Sequence, residues 1–556
     1  MPTPPRRRFI AAALSVTALA AGAAIALAEP GGVGFTDIPT AQPKQDGTPV
    51  PNVITPGYVT HTVADGTYLL ENPGTVTGSA PLGIAAPAAP IAIDRYGMYG
   101  DGPMLAATGT MGTLSEPDKN TYLVFPKGVI KGADPTYDYG RRFLYQGHEA
   151  GPANVGYLTR INLDADQAHR VTLLAGADKA GNQIPAIDGS IWNPFSQTLL
   201  FSGEEGNKIG GIWQSTANLP STVTDMVGVF GRGSYEGISV DNAGNVWLVE
   251  DAGGASPSSA SPLDNARVAN SFVYRLVPTD RTDLTKGGKL QVLQVASRAT
   301  GNPAIKFAAC PAPATDACLE AQVTSQDLKD LHTPGLTFAT KWVTIHDTAV
   351  DGTASFDPNA LAKTKGGTPF KRPENGAFRP GTSFKEFFFT ETGDTNADKG
   401  SGAAYGQFGG VYRLSQAAPS ADTGTLSITY VGDKAHTGLD NLNFLTRTQL
   451  MTVEDAGDTL HTQRKATDSA YLIDVTAAQP KAVRFYAQGR DAVATFRNAD
   501  NEITGIIASN GDPTVKGMMG AVTPTPFRQG WRVFFTNQHG MNVTQELVRQ
   551  PAQGGD

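Results

Sequence analysis

The sequence predicts an all-β protein, a six-bladed β-propeller with a partly helical insertion. Two observations predict it. The 556 residues include 63 Gly and 38 Pro, and apolar runs such as NVWLV and FFFT are short, which favours many strands joined by turns over long amphipathic helices. A strand–turn–strand unit also recurs, as AIDGSIWNPFSQTLLFSGEEG, SYEGISVDNAGNVWLVEDAGG, RPENGAFRPGTSFKEFFFTETGD and GLDNLNFLTRTQLMTVEDAG. With the weaker copies RRFLYQGHEAG and DNEITGIIASNGDP the count reaches about six, and β units that cannot bury their own faces alone are what a propeller stacks.

In chain order, residues 1–28 form a twin-arginine export signal: Arg6 and Arg7 are followed by Phe9 and Ile10, an Ala-rich apolar run, and small residues at the cleavage position, Ala26 to Ala28. Residues 29–130 are expected to pack on or enter the propeller, which spans 131–546 with an insertion at about 285–345, and residues 547–556 are a flexible tail. Strands such as GYLTRINL, FVYRLVP, GVYRLS and AYLIDV supply a third strand to several units. The insertion contains both cysteines, Cys310 and Cys318, whose short separation and exported setting suit a disulfide rather than a metal site.

Within each unit the acids are placed alike. An acid followed by Gly or Asn opens the first strand, as in Asp188-Gly189, Glu236-Gly237, Glu374-Asn375 and Asp440-Asn441. A second acid ends the stronger strand: Glu204 and Glu205, Glu250 and Asp251, Glu391, then Glu454 and Asp455, with His148 and Glu149 in a weaker copy. Taken singly, such pairs are ordinary turn residues, Asp and Asn bonding their own backbone and Gly supplying positive φ. Repeated at the start of innermost strands, they place carboxylates around one axis, where like charges are tolerated only with cations or protons among them. Oxygen donors in that number suit calcium. The expected ligands are Glu149, Asp188, Glu204, Glu205, Glu236, Glu374, Asp440, Asn441, Glu454 and Asp455.

The pieces FLYQGHEAG, GRGSYEG, TPFKRPENGAF, GLDNLNF and LMTVEDAGD resemble the PhoX-type alkaline phosphatases. The resemblance implies a secreted propeller enzyme, exported on a twin-arginine signal, that uses iron and calcium ions to cleave phosphate monoesters. It makes Glu236, Glu374, Asp440 and one acid of the Glu204–Glu205 pair metal ligands, and it implies that Arg372 contacts the substrate phosphate. His148 is a candidate proton donor. One departure matters: the family bridges its irons with a cysteine, whereas this chain has none between residues 29 and 309, and Asp188 holds the corresponding place. A carboxylate is a harder donor than thiolate, so Ca2+ is the first expectation, with Fe3+ or another divalent metal behind it.

The function expected is therefore a periplasmic or extracellular metal-dependent phosphatase acting on small phosphate esters as a monomer, with no membrane span once the signal is cleaved. A calcium-dependent lactonase or esterase, and a calcium-stabilised binding propeller without turnover, are the alternatives; Arg372 distinguishes the phosphatase from the neutral-ester enzyme, and a melting temperature that falls on metal removal with no ester hydrolysed marks the binding propeller. A net charge of -8, from 44 basic and 52 acidic residues, argues against a nucleic-acid partner.

Overall fold

The run Phe387–Phe388–Phe389 shows why the chain reads as buried strand. Successive side chains point to opposite faces: the Phe387 ring lies 5.0 Å from Trp247 of one neighbouring unit, and that of Phe388 lies 5.3 Å from Phe444 of the next. Both faces are covered, so the sequence is continuously apolar instead of alternating. The computed structural model describes residues 33–44, 48–76, 90–99, 113–149, 156–203, 209–490 and 502–551. The expected export signal, Glu204, Glu205 and residues 552–556 lie outside them.

The described strands form a propeller-like, almost wholly β fold of five hydrogen-bonded sheets. The first runs outward from Thr121–Val124 through Arg142–Gly147 and Leu158–Asn162 to Val171–Ala175, then on through Leu69–Val76. The second contains Ser190–Asn193, Thr198–Gly203, Gly211–Ser215 and Val223–Asp225. The third begins with Tyr235–Val240, Val246–Glu250, Val273–Pro278 and Gly288–Ala296. Through Phe338–Asp347 it continues into Thr423–Val431, Gly410–Gln416, Glu386–Glu391 and Gly376–Phe378. The fourth holds Leu439–Phe444, Gln449–Glu454, Ser469–Asp474 and Ala482–Ala487, edged by Val53–Ile54. In the fifth, Glu502–Ser509, Arg532–Gln538 and Val543–Arg549 are completed by Tyr58–Ala64, so a strand from the start of the described chain fastens its end.

Successive units bond to one another around the axis. Thr121 Oγ1 meets Ser190 Oγ at 2.9 Å, Ser202 Oγ donates to the Glu236 carbonyl, and Ser239 Oγ donates to that of Gly376 at 2.8 Å. Thr390 Oγ1 donates to the Asp440 carbonyl at 2.6 Å, Gly505 N to Asn441 Oδ1 at 3.2 Å, and Val124 N to the Gly511 carbonyl at 2.7 Å, which closes the circle.

Three boundaries differ from the sequence reading. Thr121–Val124 is already an innermost strand, so the first unit starts before residue 131, hidden by the seventeen-residue interval between Val124 and Arg142. Gly288–Ala296 and Phe338–Asp347, expected within the insertion, are sheet strands that pair with each other. Between them lie the Cys310–Cys318 disulfide and two short helices, Asp316–Val323 and Gln326–Leu331, whose first turns are capped by Thr315 and Ser325. Residues 547–549 are strand, not tail. Among the described residues no helix is long and apolar enough to cross a membrane.

Candidate metal centre

Two of the acid–Gly and acid–Asn pairs sit in the same backbone irregularity. Tyr235 pairs with Glu250 and Ile238 with Leu248, so Glu236 and Gly237 together face one residue; Asp440 and Asn441 do the same between Leu439 and Leu442. Such a bulge re-aims a side chain, and here it turns the acid to the axis. Glycine follows because neighbouring strands nearly touch: a Cβ on Gly189 would stand 2.0 Å from the Glu236 carbonyl oxygen, and one on Gly237 would stand 2.6 Å from Asn375 Cα. Close approach, not a turn with positive φ, sets the residue type.

Carboxylate oxygens of Glu236, Glu374 and Asp440 come within 4.8 Å of one another, all three residues buried. Burial is the first cause that raises their pKa values, to about 8 for Glu374 and about 6 for Asp440, and well above the ordinary range for Glu236, where Asp188 and Glu374 add like-charge repulsion. Thr392 Oγ1 donates to Glu374 Oε1, and Asn441 Nδ2 lies 2.8 Å from both oxygens of Asp440. Glu236 Oε2 is buried with no hydrogen-bond partner among the described residues. In a second group, Asp118, Glu149 and Glu502 also bring carboxylate oxygens within 4.8 Å of one another. Gln538 Nε2 bridges it, 2.9 Å from Asp118 Oδ2 and 3.0 Å from Glu149 Oε2. Asp455 acts electrostatically on acids of both groups, Asp118, Asp440 and Glu502.

Arg372 stands at the rim of the first group. Its Nε is 3.1 and 2.9 Å from the two oxygens of Asp251, its Nη2 is 2.7 Å from Asp251 Oδ2 and 3.3 Å from Glu374 Oε1, and Nη1 has no hydrogen-bond partner among the described residues. The backbone holds Arg372 at φ 59°, a left-handed conformation uncommon for a residue with a side chain, with its carbonyl accepting from Thr392 N at 2.9 Å. Strain of this kind gathers at functional sites.

Other expected residues take different roles. His148 is fully buried, its Nδ1 2.9 Å from Ser115 Oγ and its Nε2 2.9 Å from Thr159 Oγ1, and burial lowers its pKa well below the ordinary value. With both ring nitrogens engaged, it is a structural residue and not a proton donor. Asn441 accepts at Oδ1 from Gly505 N and donates from Nδ2 to Asp440, so it orients a ligand-type acid. Glu454 is consumed as a brace: Thr437 N, Ser469 N and both terminal nitrogens of Arg464 bond to it. The acids ending neighbouring strands serve likewise, Glu250 accepting from Tyr274 Oη at 2.8 Å and Glu391 from Lys371 N at 2.7 Å. Arg464→Ala, which would strand the buried Glu454 and Asp468 charges, is expected to cost about 3 kcal/mol, measured as a shift of the urea midpoint.

Asp188 is buried and acts electrostatically on Glu236 and on Lys119. The sequence reading missed Asp118, Lys119, Asp251 and Glu502 as site residues. Asp118 and Glu502 were findable as acids just before or opening a β run, DKNTYLV and EITGIIAS. Nothing in the sequence signals the Asp251–Arg372 contact, made across 121 residues.

The donor set fits a hard cation. All three close donors are carboxylate oxygens, Glu236 Oε2 is a buried acceptor without a partner among the described residues, and the chain's two cysteines are joined to each other, so no thiolate is available.

The family model described as alkaline phosphatase PhoX matches residues 264–518. Among solved structures, Pseudomonas fluorescens PhoX in complex with vanadate, a transition state analogue, is similar with a TM-score of 0.51 at 11% identity, over 92% of this chain and 98% of that one. At that identity the likeness is one of fold. The Pseudomonas aeruginosa periplasmic gluconolactonase PpgL (TM-score 0.32, 12% identity, 89% and 97% coverage) and the soluble aldose sugar dehydrogenase of Escherichia coli (0.29, 10%, 66% and 96%) are too distant to carry an argument. No curated protein sequence matches the chain significantly. The segment that is similar to the PhoX alkaline phosphatase family contains Arg372, Glu374 and Asp440, three of the four residues drawn together at the axis, while Glu236 lies before it.

Proposed function

We propose that this chain is an exported phosphatase that hydrolyses phosphate monoesters at a carboxylate-bound metal centre in the channel of a six-bladed propeller. The blade count treats the longest sheet as two blades joined through Phe338–Asp347. The observation that carries the reading is Arg372 fixed by Asp251 beside Glu374, with Nη1 unengaged among the described residues, at the rim of a buried carboxylate group. A neutral ester needs no such cation, whereas a guanidinium held on one edge can present its other edge to phosphate oxygens. Arg372 then orients the transferred group, and the left-handed backbone fixes the direction in which it points.

Glu236, Glu374 and Asp440 are the proposed metal ligands, with Asp188, Glu149, Asp455 and the Glu204–Glu205 pair contributing charge or further ligation. Calcium, or another hard divalent ion, is the metal this set suits, and when bound it would supply positive charge to the phosphoryl oxygens. Asp251 positions Arg372, while Thr392 and Asn441 hold Glu374 and Asp440 in orientation. A chain with a twin-arginine signal at 1–28 and a disulfide suits an oxidising periplasmic or extracellular compartment, where it would work as a monomer.

The test is p-nitrophenyl phosphate hydrolysis at alkaline pH. Arg372→Ala is expected to lower kcat/KM by about a hundredfold or more while calcium content is unchanged, and Arg372→Lys, which loses the fork geometry, should recover little. Unaltered turnover in Arg372→Ala would remove the phosphatase reading.

A further inference from the structure

The Asp251–Arg372 pair has a second guanidinium beside it. Beyond Asp251 the chain runs through Ala252, Gly253 and Gly254, and the segment carrying Arg267 packs directly against it. Val268 N donates to the Ala255 carbonyl at 2.9 Å, and a Cβ on Gly254 would stand 1.7 Å from the Val268 carbonyl oxygen, so glycine is what lets the two segments touch. Arg267 Nη1 lies 3.5 Å from where a Cβ on Gly253 would stand, two residues past Asp251. From the other side, Arg267 N donates to Asp394 Oδ1 at 3.0 Å, and the same oxygen accepts at 2.8 Å from Nζ of Lys371, the residue before Arg372. The fold thus ties Arg267 to both members of the pair, through the chain neighbours of each.

The backbone of Arg267 is fixed and its side chain is not. Ala266 and Val268, on either side, are buried in a core with Leu319 and Val323 of the helix Asp316–Val323, while Arg267 itself is partly exposed. Its guanidinium has no hydrogen bond or ion pair among the described residues. Arg372, by contrast, is gripped by Asp251 and stands 3.3 Å from Glu374. Burial, then the positive charge of Arg372, lowers the Arg267 pKa, against the opposing pull of Asp251 and Asp394. Two like charges held as neighbours repel each other, and an anion bound beside them relieves that cost. Arg267 is less deeply buried than Arg372 and makes no ion pair with Glu236, Glu374 or Asp440, so it stands outward of Arg372, away from the carboxylate group.

We propose that Arg267 forms a subsite for a second anionic group, carboxylate or phosphate, on the alcohol part of the ester, so that the enzyme selects small phosphate esters whose leaving group is itself negatively charged. The inference rests on the phosphatase reading of the Arg372 site and names its substrate class. With the phosphoryl group held between Arg372 and the carboxylate centre, the alcohol part extends outward, to the side where Arg267 stands. A planar guanidinium with no partner in the fold can take two oxygens of such a group at once.

Steady-state phosphate release by protein purified without chelator tests it, with two pairs of esters. 3-Phosphoglycerate differs from glycerol 3-phosphate by a carboxylate in place of a hydroxymethyl group, and fructose 1,6-bisphosphate differs from fructose 6-phosphate by a second phosphate. In Arg267→Gln the ratio of kcat/KM values, the more charged ester over its counterpart, is expected to fall about tenfold in at least one pair, because a charge-assisted hydrogen bond is lost from that ester alone. The pair that responds identifies the group. Arg267→Lys, which keeps the charge but not the planar fork, should give an intermediate ratio. Ratios unchanged in both pairs would overturn the inference while leaving the phosphatase standing, as would an equal loss on every ester or failure of both variants to fold. If the unaltered protein releases phosphate from no ester, the phosphatase reading fails and this inference fails with it.

Discussion

Glu374→Ala is expected to strip the protein of its tightly held metal and to reduce p-nitrophenyl phosphate hydrolysis by about a thousandfold or more. Glu374 lies within 4.8 Å of both Glu236 and Asp440, is oriented by Thr392 and stands 3.3 Å from Arg372, so its loss removes a proposed ligand and a neighbour of the guanidinium proposed to bind phosphate together. Elemental analysis after dialysis reads the first effect and a steady-state assay the second. A third readout separates metal loss from misfolding. In chelator-treated protein at alkaline pH, Glu374→Gln should melt at a higher temperature than the unaltered chain, because it deletes one of the charges that repel one another. Retention of full metal content by the alanine variant would take Glu374 out of the centre.

Removing metal should also invert the usual dependence of stability on pH. The carboxyls of Glu236, Glu374 and Asp440 hold their protons more tightly in the folded, metal-free chain than in the unfolded chain, chiefly through burial. Between the ordinary values of 3.8 and 4.5 and the raised ones, the folded chain therefore binds more protons, and its stability falls as pH rises. The loss begins near the ordinary carboxylate values, is complete for Asp440 once pH passes about 6, and continues for Glu374 until about 8. For Glu374 the effect is on the order of a few kcal/mol. Melting temperatures of chelator-treated protein should be lower at pH 9 than at pH 5, and calcium should raise them more at pH 9, where the ligands are ionised and no proton competes. Equal melting at the two pH values, with no calcium effect, would mean that these acids are compensated within the protein.

Much of the fold was legible because each strand unit repeats one pattern of apolar strand, polar turn and apolar strand. The acids opening the inner strands were legible for the same reason, and Glu236, Glu374 and Asp440 do converge. Among the second acids Glu454 takes another role, because sequence cannot tell an acid aimed at the axis from one turned back on its own unit. Glu454, bonded by Thr437 N, Ser469 N and Arg464, looks in sequence just like a ligand. His148 was misread for a related reason, since the hydroxyls of Ser115 and Thr159 that engage its ring are contacts no motif records.

By itself the sequence determined that short β units must stack against one another, since their two-sided apolar strands leave no face for water, and that an acid stands at the start of each inner strand from Glu236 to Asp440. Only the tertiary structure decided which charges meet. Asp251 reaches Arg372, and Lys119 reaches Asn375, through closure of the circle of strands, and electrostatic partnership depends on distance in space, which residues separated by over a hundred positions acquire only when the chain has folded.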